Sequence, residues 1–227
     1  MGPNALWLLE SLTEVMSISP GMRVLDLGCG RAMTSIFMAR EFDARVWAAD
    51  LWIDPVQNRT RIVEAGVDDL VTAVHAEAHA LPFDKGFFDA IVSIDAYHYF
   101  GTDDLYLGYL LDYLRPGGRL GIVVPALIEE FDNAVPDHLL PFWQWEYCCF
   151  HSPSWWVRHW DKTGLVTVET ADIVEEGWKD WLDFTHHSLH SMSAEMRLEA
   201  EVEIQMLRAD AGANLGFARV VASESHQ

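Results

Sequence analysis

The chain has 227 residues, enough for one α/β domain with a substantial core, and its formal net charge is −20 at pH 7. Half of its residues are hydrophobic and 22% are charged, which excludes a globally disordered chain. The negative charge disfavours nucleic acid and anionic membrane surfaces as partners, because both carry charge of the same sign.

The first half of the sequence alternates regularly between strand and helix patterns. Apolar spacing predicts a first helix over Asn4–Met16. Strands are then predicted at Met22–Leu27, Ala44–Ala49, Val71–Ala76, Phe88–Ile94 and Arg119–Val124, with helices at Thr34–Phe42, Gln57–Ala65 and Leu105–Leu114. The turn Arg115–Gly118 is expected to close the last of these helices. This alternation predicts a parallel sheet with helices on both faces.

The pattern changes after Pro125, where Ala126–Phe150 is irregular and rich in aromatic residues. The remaining elements are predicted as a helix over Pro153–Lys162 with Ser152 as its N-cap, a strand over Leu165–Val174, mostly helical structure over Glu176–Ala211 and a strand over Leu215–Ala222. Within the long helical stretch, the acidic run Glu195–Glu203 is interpreted as a solvated helix face.

The most informative stretch is Val24–Gly30, an apolar run that ends in an acid and two glycines. Gly28 and Gly30 allow a tight turn and the close approach of a ligand. A second apolar run ends in Asp50, whose carboxylate can accept both hydroxyls of a ribose. These features predict a nucleotide site built on one βαβ unit. Met33 stands where a dinucleotide-binding fingerprint requires glycine, which argues against a nicotinamide cofactor.

Three segments of the chain resemble the class I S-adenosylmethionine (SAM) methyltransferases. Val24–Gly30 is similar to their first motif, Glu77–Phe83 with the strand that follows it to their adenine-side segment, and Leu114–Gly118 to the turn before their fifth strand. The resemblance is to the small-molecule, methyltransferase type 11 group that includes the ubiquinone/menaquinone-biosynthesis enzymes. Ala32 replaces the third glycine of the first motif, and Glu77 stands where aspartate is usual.

The resemblance implies an architecture for the whole chain. We expect a single domain over residues 1–227 with an α/β, Rossmann-like, doubly wound and mostly parallel seven-stranded sheet and an aromatic-rich helical lid insertion. Residues 1–125 would form the SAM-binding core, and residues 126–160 and 175–212 would form the substrate lid.

The resemblance also implies a set of cofactor contacts for SAM and its product S-adenosylhomocysteine (SAH). The loop from Gly28 through Cys29 to Gly30 would lie against the methionine part, Asp50 would bind the ribose, and Leu51 would pack on the adenine. The adenine edge would be held by Glu77 and Ala78. Two further expected cofactor contacts are Asp26 and Asp95.

Methyl transfer from SAM requires alignment and exclusion of water and needs no metal. Where the acceptor must lose a proton, His98 is the candidate base, because an unperturbed imidazole titrates near neutral pH. The substrate pocket is expected to be lined by aromatic faces, suited to an apolar, planar or cationic acceptor. The candidates for its walls are Tyr97, Tyr99, Trp143 and Trp145. The alternative for each of these residues is packing or hydrogen bonding within the core.

Further expectations concern location, partners and metal. No run of 18 apolar residues is present, so no membrane span is predicted. Met1–Glu10 lacks the features of a signal peptide, and the three cysteines follow neither a disulfide nor a metal-ligand spacing. We therefore expect a cytoplasmic enzyme without bound metal that acts on a small molecule, and the oligomeric state stays open.

Two other functions are compatible with parts of this pattern. A SAM-binding module without catalysis, acting as a sensor or scaffold, would keep the same cofactor residues. A nicotinamide-dependent oxidoreductase is disfavoured by Met33 and by the segment Glu77–Phe83.

Overall fold

A computed structural model describes residues 4–225, which form a seven-stranded sheet with helices on both faces. The strand order is β3-β2-β1-β4-β5-β7-β6. The strands, in chain order, are β1 (Arg23–Leu27), β2 (Arg45–Asp50), β3 (Val71–His75), β4 (Phe88–Ile94), β5 (Leu114–Leu127), β6 (Val166–Ile173) and β7 (Leu215–Glu224). Only β7 runs antiparallel to its neighbours β5 and β6, and all other pairs are parallel. The predicted fold class is confirmed.

Seven α-helices and three 3₁₀ turns accompany the sheet in the described residues. The helices are α1 (Ala5–Thr13), α2 (Met33–Phe42), α3 (Pro55–Glu64), α4 (Tyr106–Leu111), α5 (Pro153–Asp161), α6 (Gly177–Ser188) and α7 (Ala194–Asp210). The 3₁₀ turns cover Tyr97–Tyr99, Trp145–Cys149 and Leu189–Ser191. Over residues 4–225, no helix combines the length and apolar character needed to cross a bilayer.

Local sequence explains where several helices begin. Asn4, Asp54 and Ser152 each accept a hydrogen bond from a backbone N–H of the first helical turn, which satisfies a donor that has no partner inside the helix. Pro55 and Pro153 then occupy the first helical position, where proline's missing N–H costs nothing.

The sheet separates two hydrophobic clusters, because successive side chains of a strand point to opposite faces. In β1, Val24 belongs to one cluster and Leu25 to the other, and both are fully buried. Helices α1, α2, α6 and α7 pack on the Val24 face, whereas α4 and α5 pack on the Leu25 face. Both faces of the sheet are therefore covered, and the strand ends are left for ligands.

The structure differs from the sequence prediction at the start of β5. Arg115–Gly118 was predicted as a turn that closes a helix, but the structure includes it in β5, and α4 already ends at Leu111. A register shift in the β4–β5 pairing between Phe88 and Ala90 accommodates this extension.

The tryptophans of the second half offer a test of which aromatic residues stabilise the fold. Trp156 is 0% exposed and lies within ring-contact distance of Tyr97, whereas Trp145 is 81% exposed. Trp156→Ala should lower the free energy of unfolding by about 3–5 kcal/mol, because it leaves a large cavity. The matched control Trp145→Ala should change it by less than about 0.5 kcal/mol. Urea denaturation measures both, and equal effects would contradict this account of the core.

Candidate cofactor and acceptor sites

A cavity of about 400 Å³ opens at the carboxyl ends of β1, β2 and β4. We call it the cofactor cavity. Its lining residues are Leu27, Gly28, Gly30, Ala49, Asp50, Leu51, Trp52, Ala76, Glu77, Ala78, His79, Asp95, Ala96, Tyr99 and Phe100. Strand β1 lies between β2 and β4, so the order reverses here, and ligands of doubly wound sheets bind at such a point.

Position 28 requires glycine for two reasons, its backbone conformation and the close approach of Ala96. Its φ is +76°, a region that disfavours any side chain, and a Cβ built there would lie 2.4 Å from the Cβ of Ala96. Gly30 also has a positive φ, +52°, but no atom lies within 4 Å of the position its Cβ would take. The loop after β1 therefore touches the loop after β4 at Gly28.

The carboxylate of Asp50 connects the loops after β1 and β2. Its Oδ2 accepts a hydrogen bond of 2.8 Å from the N–H of Gly30. Its Oδ1 accepts bonds of 2.8 Å and 2.9 Å from the N–H groups of Trp52 and Ile53. Since a carboxylate oxygen can accept two bonds, Oδ1 has both of its lone pairs engaged, whereas Oδ2 keeps one for a further donor.

Asp26 lies behind this loop and does not line the cofactor cavity. It is 1% exposed, and its Oδ2 accepts hydrogen bonds from Thr34 (2.6 Å) and Ser35 (2.5 Å) at the start of α2. Burial raises the pKa of Asp26 to about 6. Cys29 is also buried, and burial holds the pKa of its thiol far above the usual range. The positions of these two side chains give them a structural role beneath the loop.

The segment that is expected to contact adenine follows β3. Glu77 and Ala78 line the cofactor cavity, as does His79, whose Nδ1 lies 2.9 Å from Glu77 Oε1. Ala78 accepts a hydrogen bond from the hydroxyl of Tyr106 on its carbonyl, and within residues 4–225 its N–H donates to no protein group. A free N–H beside an exposed carboxylate can recognise a ring that presents an acceptor next to an amino group.

A second cavity, of about 240 Å³, adjoins the first. We call it the acceptor cavity. It is lined by Asp95, His98, Tyr99, Pro125, Gln144, Glu146, Tyr147, Phe150, Trp181, Glu199 and Glu203. Asp95 and Tyr99 line both cavities, so these two residues form the boundary between them.

Two titratable groups lie at or beside this boundary: Asp95, which lines both cavities, and His98, which lines the acceptor cavity. Asp95 has a positive φ of 56°, and burial, together with the charge of Glu203, raises its pKa to about 6. His98 is 1% exposed, and its Nδ1 is buried without a hydrogen-bond partner. Burial lowers the pKa of His98 to about 3, so its imidazole is neutral at physiological pH. The ordinary pKa that the sequence analysis gave it is therefore wrong.

Three of the four aromatic residues predicted to line the substrate pocket lie elsewhere. Tyr97 is 0% exposed and packs in the core against Trp156 and Trp160. Trp143 packs against Phe131 and Tyr147, and Trp145 is exposed. Tertiary packing is the reason, because rings from other elements cover Tyr97 and Trp143. Only Tyr99 reaches the cavity.

Sequence reasoning missed the residues that α6 and α7 bring to the acceptor cavity, Trp181, Glu199 and Glu203. The acidic run was interpreted as a solvated face, but Glu203 is only 9% exposed. Glu199 and Glu203 are four residues apart and therefore share a helix face, and this spacing was the available signal.

Several known methyltransferases are similar to this chain in sequence. Residues 24–118 match the family model described as "Methyltransferase domain". The 2-methyl-6-phytyl-1,4-hydroquinone methyltransferase of Synechocystis sp. is 30% identical over 74% of this chain and 54% of its own length. Methyltransferase GfsG of Streptomyces halstedii is 29% identical over 74% of this chain and 62% of its own length. The chain thus spans less than two thirds of the length of these curated relatives.

The solved structure of Haemonchus contortus phosphoethanolamine N-methyltransferase 2 with S-adenosyl-L-methionine has the same fold. It superposes with a TM-score of 0.80 at 18% identity and covers 99% of this chain and 54% of that chain. Residues 24–118 are similar to a methyltransferase domain, and the relatives of this chain include methyltransferases that are named for small-molecule substrates. The resemblance inferred from the motifs is confirmed.

The two glycines of the first motif give a matched test of the loop geometry. Gly30→Ala should lower the free energy of unfolding by about 1–2 kcal/mol, because only its positive φ opposes a side chain. Gly28→Ala should cost roughly 1–3 kcal/mol more, because its methyl group also collides with Ala96. Chemical denaturation measures the difference, and equal losses for the two variants would mean that Gly28 and Ala96 are not in close approach.

Proposed function

We propose that this protein transfers a methyl group from SAM to a small-molecule acceptor, and that the two adjoining cavities hold the two substrates. The observation that carries this proposal is the shared boundary at Asp95 and Tyr99. A methyl group passing from one cavity to the other has to face this boundary, and alignment of the reactants across it would supply most of the catalysis.

The residues of the cofactor cavity fit SAM. The backbone at Gly30 leaves room where a side chain would otherwise stand, and Oδ2 of Asp50 keeps a free lone pair for a ribose hydroxyl. Leu51 is 45% exposed at the rim, where it can cover the adenine, and Glu77 with the free N–H of Ala78 can bind the adenine edge. In this proposal Asp26 and Cys29 support the loop from beneath.

When bound, SAM supplies a methyl group on a positively charged sulfur that is a good leaving group. The protein then has to orient the acceptor, exclude water and, where needed, accept a proton. His98 remains a proposed base, because it lines the acceptor cavity and is neutral. Asp95 is the competing candidate, because its raised pKa of about 6 gives it more basicity than His98 while leaving it ionised at neutral pH.

Further expectations from the sequence analysis stay predictions. They are the cytoplasmic location, the absence of nucleic-acid partners and the role of residues 126–160 and 175–212 as a substrate lid. The alternative of a SAM-binding module without catalysis predicts cofactor binding without turnover. Incubation with radiolabelled SAM and panels of amines, phenols, thiols and carboxylates separates the two functions.

Asp50→Asn tests the cofactor site. Both oxygens of Asp50 accept backbone N–H groups, so either orientation of an asparagine amide sets a donor against a donor. We expect a loss of about 1.5–3 kcal/mol, or roughly 10- to 150-fold in SAM affinity by calorimetry. The exposed Asp69→Asn is the control for the charge change and should bind as the parent does. Unchanged affinity in Asp50→Asn would place the cofactor elsewhere.

The pH dependence of cofactor affinity tests the position of Asp95. SAM carries one more positive charge than SAH, at the sulfur, and Asp95 is ionised only above its pKa of about 6. The ratio of SAM to SAH affinity should therefore increase about tenfold as the pH rises from about 5 to 7.5. Asp95→Asn should abolish the increase. His98→Gln should leave it in place, because His98 does not titrate in this range, and loss of the increase in His98→Gln would reverse the assignment.

A further inference from the structure

The acceptor cavity is lined by charges of one sign. Four of its eleven lining residues are carboxylates, Asp95, Glu146, Glu199 and Glu203, and none is lysine or arginine. His98 adds no positive charge, because burial keeps its imidazole neutral. The field inside the cavity is therefore negative, and a surrounding wall of low dielectric strengthens it.

Glu203 lies deepest in this wall. The residue is 9% exposed, and its Oε2 accepts a hydrogen bond of 3.2 Å from the hydroxyl of Thr185, itself 2% exposed. Within the described chain, Thr185 is the group that donates to Glu203 with normal hydrogen-bond geometry, and Asp95 accepts no side-chain hydrogen bond; the indole N–H of Trp181 faces Glu203 and lowers its pKa. Burying a carboxylate without a partner is costly, and a bound cation would remove that cost.

Aromatic rings form the rest of the wall. Tyr99, Tyr147, Phe150 and Trp181 line the cavity, and the rings of Tyr147 and Phe150 are stacked with centroids 4.8 Å apart. The negative face of an aromatic ring attracts a cation that lies over it. Carboxylates and aromatic faces together are the combination that recognises ammonium groups, whereas the four carboxylates would repel an anionic acceptor.

We propose that the methyl acceptor is a small molecule that enters this cavity as an ammonium ion, and that Glu203 is the main charge partner of this ammonium group. A nitrogen that is itself to be methylated would first give its proton to Asp95 or His98, since only the neutral amine has a lone pair for the methyl carbon. This inference rests on the proposed function, since it assigns the acceptor to the cavity next to the cofactor. The positive charge of SAM itself is the competing reason for an acidic wall. Glu203 distinguishes the two, because it lines only the acceptor cavity, whereas Asp95 lines both.

Three probes of similar shape and different charge test the proposal. The full chain, saturated with SAH, is titrated by calorimetry with 2-phenylethylamine, 2-phenylethanol and 3-phenylpropanoate. The amine should bind at least about tenfold more tightly than the alcohol, and the carboxylate most weakly. Glu203→Gln should remove the preference for the amine. The matched control Glu201→Gln, exposed on the same helix and outside the cavity, should retain it.

Several results would overturn the proposal. These are equal binding of the three probes, binding of none, or preference for the alcohol or the carboxylate. If Glu203→Gln weakened the binding of SAH or SAM as much as the binding of the amine, the acidic wall would belong to the cofactor site. A Glu203→Gln protein that fails to fold, judged by circular dichroism, is replaced by Glu199→Gln at the exposed part of the wall, which should weaken amine binding and leave alcohol binding unchanged.

The failure of the proposed function gives a different pattern. A protein that binds neither SAM nor SAH contradicts the methyltransferase proposal, and the amine titration repeated without SAH then still reports on the acidic cavity. A protein that binds SAM and methylates neutral or anionic acceptors, but not amines, contradicts only the inference about the acceptor.

Discussion

The carboxylate of Asp50 is the contact on which the candidate site depends. It accepts three backbone N–H groups, one from the loop after β1 and two from the segment after β2. Backbone donors at strand ends need partners, and a single ionised side chain satisfies all three. The loop that it holds brings Gly28 against Ala96 in the loop after β4. The hydrogen bonds of Asp50 and the contact between Gly28 and Ala96 thus hold together the loops after β1, β2 and β4, which line the cofactor cavity.

The buried acids of this protein divide into two kinds. Asp26 is buried with two hydroxyl donors from α2 on its Oδ2, which hold the helix to the strand end, whereas its Oδ1 is buried without a partner. Asp95 and Glu203 are raised in pKa by burial but face a cavity with few or no protein donors. An acid bound by donors of a neighbouring helix stabilises structure, whereas an acid that faces a cavity with few donors marks a position for a ligand.

Much of the core could be predicted because its signals are local. The apolar run Phe88–Ile94 is bounded by charged and turn residues, and the structure assigns β4 to the same residues. Ser152 followed by Pro153 predicted the start of α5 correctly. The strand-end motif placed Gly28, Gly30 and Asp50 in one cavity. The packing of the aromatic segment after Pro125 could not be predicted in this way, since the local sequence around Trp143 and Trp145 does not indicate which residues they contact.

The sequence by itself determined the fold class, the domain type and the glycine loop beside Asp50, because strand-and-helix periodicity and a glycine-acid motif depend on residues close in the chain. Only the tertiary structure decided which side chains meet at the acceptor cavity. Tyr99 after β4 and Glu203 on α7 are about a hundred residues apart in the chain, yet they line one cavity. The tertiary structure also decided that Glu203 is buried and that His98 is a neutral imidazole. Burial depends on the packing of distant elements, and it is burial that lowers the pKa of His98.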